Sequence, residues 1–227
     1  MGGRLTPTIR ALLIAEAAIY AVYLFVRPLR PAMIGHLALG PGFFAGEIWQ
    51  PLTALFVHLD PSPLIFSLLG IWWAGEAVER ARGTRRMVAL FLVGGVLANL
   101  AFAEVGRHLL YGAGAILGGA SFAVLTLFVA FGKIYGRTPM QLLGGFQIQA
   151  RYLAIAFVAW NVVAALAGPA VDWASLAATA VAAAVGYFGA ASGGLEALWE
   201  ALKIRRLRRR YRVIEGGAGR PPKNYMN

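Results

Sequence analysis

Ser121 stands in Gly118-Gly119-Ala120-Ser121 near the start of a long apolar run, and the chain holds only three histidines, His36, His58 and His108. A serine hydroxyl becomes a useful nucleophile when a neighbouring base takes its proton, so the chemistry on offer is acyl transfer and the open question is the base. No histidine follows His108. Lys133 lies twelve residues past Ser121 on the same expected helix, about 18 Å along its axis, which excludes a Ser–Lys dyad. His58 falls on the same side of the membrane as Ser121 and is the histidine that could face it, whereas His36 and His108 fall in loops. Cysteine is absent, which excludes a catalytic thiol, a thiolate metal site and a disulfide framework. Glu76 and Glu79 could suggest a metal site, but no histidine accompanies them, so no metal and no cofactor are expected.

The elements that must position Ser121 are membrane-spanning. Of 227 residues, 59% are hydrophobic and 14% charged, far too apolar for a soluble domain. Six stretches are long enough to cross a hydrocarbon core: Ile9–Val26, Pro63–Val78, Met87–Ala103, Ala113–Phe131, Tyr152–Ala167 and Trp173–Ala191. No small-residue cleavage site follows the first, so it reads as a retained span. With the N-terminus inside, only Arg27, Arg30 and Arg107 of the 21 lysines and arginines fall outside, so both termini are expected in the cytoplasm. Ser121 then lies about eight residues into the fourth span, roughly 12 Å from its outer end.

The loop Pro31–His58 is nearly as apolar as a span but is broken by Pro31, Gly35, Gly40, Pro41, Gly42, Gly46 and Pro51. An interfacial or re-entrant element anchored by Phe43, Phe44 and Trp49 is expected. Ala174, Ala178, Ala182, Gly186 and Ala190 recur every four residues, a stripe that lets a neighbouring helix approach; Gly118, Gly119, Ala120 and Ala123 offer the same to the sixth span from the fourth. Glu16 and Asn99 are polar residues within spans, read as facing the bundle and as an interhelical hydrogen bond. Glu76 and Glu79 read as ion pairs with the arginines beside them. Leu195–Arg212 reads as a basic amphipathic helix on anionic lipids of the inner leaflet rather than on nucleic acid, followed by a disordered tail over 213–227.

Trp49-Gln50-Pro51-Leu52-Thr53, then His58, then Gly75-Glu76-Ala77-Val78-Glu79-Arg80 with Gly83, then Gly119-Ala120-Ser121, in a six-span frame, resembles the rhomboid intramembrane serine proteases. Gln147-Ile148-Gln149-Ala150-Arg151-Tyr152-Leu153 also looks like the rhomboid pattern, and the resemblance runs from about Trp49 to Ala190. It implies an all-α, six-helix membrane domain over residues 1–194 with an interfacial first loop, Ser121 at the nucleophile position, and a histidine base in the sixth span.

The chain departs from that pattern. Ser175 occupies the position of the family's histidine, and a serine hydroxyl accepts no proton near neutral pH. In the second span the family has a histidine, a second histidine and an asparagine, the later two stabilising the oxyanion; here these are His58, Pro63 and Ser67. Phe122 replaces the glycine after the serine and is expected to crowd an approaching substrate backbone. Leu125 replaces a tyrosine that packs on the base. The resemblance thus implies a catalytically inactive protein of a bacterial inner membrane that binds transmembrane clients, with an active endopeptidase using Ser121 as the alternative.

Overall fold

The computed structural model describes residues 5–108, 116–141, 147–167 and 172–191. The basic helix and tail expected over 195–227 lie outside the described residues. Thr6 caps the first helix, accepting from the Ile9 N–H at 3.3 Å, with Pro7 pre-set for the first turn. This helix, α1, runs Pro7–Phe25. Short helices follow: α2 (Arg30–His36), α3 (Pro41–Phe44) and α4 (Gln50–Thr53). Next come α5 (Pro61–Gly70), a π-helical turn over Ile71–Gly75, and α6 (Glu76–Arg82). Gly83, at φ +82, stops α6, and its N–H donates to the Glu79 carbonyl. The remaining helices are α7 (Thr84–His108), α8 (Ser121–Tyr135), α9 (Ala150–Leu166) and α10 (Trp173–Gly189). An antiparallel pair, β1 (Pro139–Gln141) and β2 (Gln147–Gln149), joins α8 to α9.

By length and composition α1 and α7 can each cross a membrane, and the pair Gln50–Phe56 and Pro61–Arg82 forms a broken span or re-entrant loop bent by 89°. The helices α8, α9 and α10 are apolar but shorter. Helix α8 starts eight residues later than the sequence suggests: Leu117 pairs with Leu39 in an isolated bridge, and Gly118 and Gly119 turn the chain, so Ser121 is the first helical residue. At 1.5 Å per residue α8 is about 22 Å long, short of a hydrocarbon core of about 30 Å.

The first loop is held by its own polar groups. Gln50, fully buried, accepts from the Gly40 N–H at 2.9 Å and donates to the Gly35 carbonyl at 3.0 Å and to Glu47 at 2.6 Å. Trp49 donates to the His36 carbonyl and Thr53 to that of Leu37. The His36 hydrogen bond, at 2.5 Å, holds the Glu47 carboxyl below the usual carboxylate range. Phe44 and Trp49 are exposed as expected of anchors, but Phe43 packs with Leu39, Ala54 and Ala103. Asn99 donates to the Pro51 carbonyl at 2.9 Å, tying α7 to this loop rather than to another long helix.

Glycines set the helix spacing. A Cβ on Gly94 or Gly95 of α7 would overlap Thr126 or Leu55, one on Gly70 of α5 would overlap Val124, and one on Gly186 of α10 would overlap the Thr126 carbonyl. All five residues of the small stripe on α10 are buried. Gly118 and Gly119, expected to face α10, instead face Val57 and His58. Glu79 accepts from the hydroxyls of Thr6 and Thr84 and, among the described residues, pairs with no arginine, while Glu76 does pair with Arg80.

Gly186→Val places its side chain against a backbone oxygen that cannot yield. A loss of about 1–3 kcal/mol is expected, read as a lower thermal midpoint in detergent. Gly35→Ala, where nothing lies within 4 Å, leaves the midpoint unchanged or slightly raised.

Candidate active site

Ser121 owes its place to the two glycines before it. Gly119 has φ +103, which glycine adopts without strain, and its N–H donates to the Ala54 carbonyl at 2.8 Å. A Cβ there would lie 3.0 Å from His58 Cδ2 and 3.2 Å from His58 Nε2, and one on Gly118 would overlap the Val57 carbonyl. The chain therefore lies directly on Val57 and His58 before turning into α8. At the start of α8 the first-turn N–H groups have no intrahelical acceptor, and the positive end of the helix dipole sits beside Ser121. The local field favours negative charge there.

Ser121 is exposed, and it opens into a cleft of about 420 Å³ between α5 and α9. Pro63, Phe66 and Ser67 form one wall; Phe157, Trp160 and Asn161 form the other. Among the described residues lining the cleft there are hydroxyls, one amide and apolar groups, and no titratable side chain. The cleft ends one turn inward, where Gly70 brings α5 onto Val124 and Phe157 stacks on Phe128 at 4.4 Å with 14° between the rings.

Ser175 is held elsewhere. Asp172 caps α10, accepting from the Ser175 N–H at 3.0 Å and from its hydroxyl at 2.6 Å. The proton of Ser175 is thus committed to a carboxylate, and among the described hydrogen bonds none joins it to Ser121. Asp172 was not singled out in the sequence, though an Asp directly before an apolar helical run is an N-cap signal.

Ser67 lines the cleft but donates to Glu16 of α1 at 2.7 Å, and both residues are buried. A hydroxyl has one proton to give. The Ser67 hydroxyl is thus engaged by Glu16, and Pro63 beside it carries no side-chain donor. A glutamate in α1 paired with a serine in α5 left no spacing signal, since the two are 51 residues apart.

His58 is fully buried with its ring against Gly119, and among the described residues neither ring nitrogen has a partner. It is brought next to the Ser121 turn but is not hydrogen-bonded to Ser121. Phe122 corrects an expectation: it does not crowd the cleft. It is 5% exposed and packs with Ala98, Leu125, Ala178 and Ala182 between α7, α8 and α10. The α10 side of the serine is thus packed with buried apolar side chains, and the α5–α9 side is open. Such an arrangement can seat an apolar segment and offer hydroxyls to its backbone, with no base in hydrogen-bond contact with Ser121 among the described residues.

Ser67→Ala should cost about 1–3 kcal/mol, because the buried Glu16 carboxyl loses its donor. In a double-mutant cycle with Glu16→Leu, thermal unfolding should give a coupling of about 0.5–3 kcal/mol; additive effects would mean the pair contributes nothing.

The profile of the Rhomboid domain matches residues 45–199, the greater part of the chain. The rhomboid protease GluP of Bacillus subtilis (strain 168) is 30% identical over 93 residues, which cover 41% of this chain and 18% of that protein. The rhomboid protease GlpG of Salmonella choleraesuis (strain SC-B67) is 30% identical over 53 residues, 23% of this chain and 19% of that protein. The matched segments span less than a fifth of these curated relatives. From the extent of the Rhomboid domain, together with its apolar helices, the chain is an integral membrane protein that belongs to the rhomboid family.

Proposed function

We propose that this rhomboid-family protein is a catalytically inactive member that binds transmembrane segments of client proteins in the cleft between α5 and α9. The observation that carries the reading is the position of Ser121: it opens into a cleft with no titratable side chain among the described lining residues, while Ser175 is tied to Asp172. In the family pattern Ser175 stands where the histidine base would be. A serine hydrolase stripped of its base retains at most weak catalysis, on the order of a thousandfold over water. With Pro63 and Ser67 at the positions of the family's oxyanion donors, and Ser67 engaged by Glu16, oxyanion stabilisation is weakened as well, by about 100- to 1000-fold for each donor lost. The proposal places the protein as a six-span bundle in a bacterial inner membrane with both termini cytoplasmic. The cleft suits a partly unwound transmembrane helix, because Ser62, Ser67, Ser121 and Asn161 supply polar atoms for freed backbone groups in an apolar wall.

One observation favours the second reading, an active endopeptidase acting on transmembrane substrates. His58 lies against Gly119, two residues before Ser121, with both ring nitrogens unpartnered among the described residues. A small shift of the turn could bring imidazole and hydroxyl together.

A photo-crosslinking amino acid at Trp160, which is 68% exposed, distinguishes the two readings. The expected result in cells is adducts with full-length membrane proteins. They should disappear in an Asn161→Trp background, which fills the cleft, and be absent from a probe at Phe25 at the far end of α1. Adducts carrying truncated clients, with truncation lost in Ser121→Ala, would establish the protease instead; equal adducts from Phe25 would remove the cleft from the account.

A further inference from the structure

A second and larger cavity, about 970 Å³, lies between α8, α9 and α10, away from Ser121. Its walls are apolar: Val129 and Ala154 at the back, Ile155, Val162, Ala183 and Phe188 along the sides. Ile155 and Phe188 are 59% and 71% exposed, so the groove faces outward from the bundle, toward lipid in a membrane. One end differs in chemistry. Lys133, Arg137 and Arg151 line it together, at the end of α8, the turn after it and the start of α9.

The cations at that end are positioned. Lys133 donates to the Tyr187 hydroxyl at 2.8 Å and sits 4.0 Å from the centre of the Tyr187 ring. The Arg151 guanidinium lies 4.8 Å from the centre of the Tyr152 ring and donates to its hydroxyl at 3.1 Å. Among the described residues none of the three meets a carboxylate. The sequence holds no Asp or Glu between Glu104 and Asp172, so neither α8, α9 nor the loop joining them can supply one. Three cations beside an apolar groove at a membrane edge call for an anion from outside the helices that carry them.

We propose that this groove binds an anionic phospholipid, with an acyl chain along α9 and α10 and its phosphate on Lys133, Arg137 and Arg151. The volume and the apolar walls suit hydrocarbon, and the clustered charge selects an anionic headgroup over a zwitterionic one. The C-terminal segment is the competing occupant from the chain itself. It carries seven lysines and arginines against two glutamates between Leu195 and Arg212, so its charge opposes a basic groove. The inference stands apart from the client-binding proposal, since it uses neither Ser121 nor the α5–α9 cleft.

The test uses the full-length protein in vesicles doped with phosphatidylglycerol bearing a photoactivatable diazirine in one acyl chain, beside the same label on phosphatidylcholine. Labelled peptides are then identified by mass spectrometry. Phosphatidylglycerol should label the α9 segment around Ile155–Val162 and the α10 segment around Ala183–Phe188 several-fold more than phosphatidylcholine does. The variant Lys133→Gln, Arg137→Gln, Arg151→Gln should lose that preference. Ala183→Trp, which fills the groove at unchanged charge, should lose the labelling itself. Arg208→Gln, Arg209→Gln, Arg210→Gln, which removes equal charge from the tail, should keep both. Equal labelling by the two lipids, retention of the label in Ala183→Trp, or loss of the preference in the tail variant would each overturn the proposal. So would a cross-link from a photoprobe at Phe188 to a peptide of residues 195–212 or to another protein in place of lipid.

Discussion

The closeness with which α8 is surrounded fixes nearly everything else in this structure. Helices in lipid gain little from burying apolar surface against one another, so their association depends on dispersion and on how near the backbones can come. Here glycines supply that nearness on several sides: Gly70 from α5, Gly94 and Gly95 from α7, Gly186 from α10, and Gly132 of α8 itself against Ala154 of α9. Contacts on so many sides fix the rotation of α8 as well as its place. Val124 and Phe128 are turned to α5 and α9, and Phe122 and Leu125 to α7 and α10. Ser121 lies one turn before Val124 on the same face, so it looks into the α5–α9 cleft.

That rotation separates two environments which a serine hydrolase must join. The side toward α10 is sealed by Phe122, Leu125, Ala178 and Ala182. Ser175 sits at the mouth of α10 and belongs to its cap. The open side carries polar atoms without a base among its described residues, and one of its hydroxyls, Ser67, is turned to Glu16. The proposal of an inactive member rests on this division. On that reading the helix-dipole field at the start of α8 remains, with no proton acceptor in hydrogen-bond contact with Ser121 among the described residues.

Much of this was legible in the sequence, and the failures have physical causes. Each of the six apolar stretches overlaps a helical segment, because hydropathy in a membrane protein reports the need to satisfy the backbone internally, but only α1, α7 and the bent pair Gln50–Phe56 with Pro61–Arg82 have the length and composition to span. The stripe from Ala174 to Ala190 was readable because burial by close approach demands small residues at helical spacing. The start of α8 was not: Gly118 and Gly119 look like a helix-contact motif, yet their role is to lay an extended segment on Val57 and His58, a tertiary fact that no periodicity carries. Phe122 was misplaced for the same reason, since its direction follows from that start. The buried network around Gln50 went unseen, being assembled from backbone groups of Gly35 and Gly40 distant in the chain. Family resemblance singled out Ser121, Ser175, His58 and Ser67 as candidates, while Asp172 and the Glu16–Ser67 pair emerged only from the fold.

The most direct measurement of the central claim is reaction of the full-length protein in liposomes with a fluorophosphonate, followed from about pH 6 to 9, beside Ser121→Ala. An unactivated serine predicts no label at residue 121 at any of these pH values and no difference between the two proteins. Labelling of Ser121 that rises with a single titration and vanishes in Ser121→Ala would contradict the account, because it would require a base in contact with the hydroxyl.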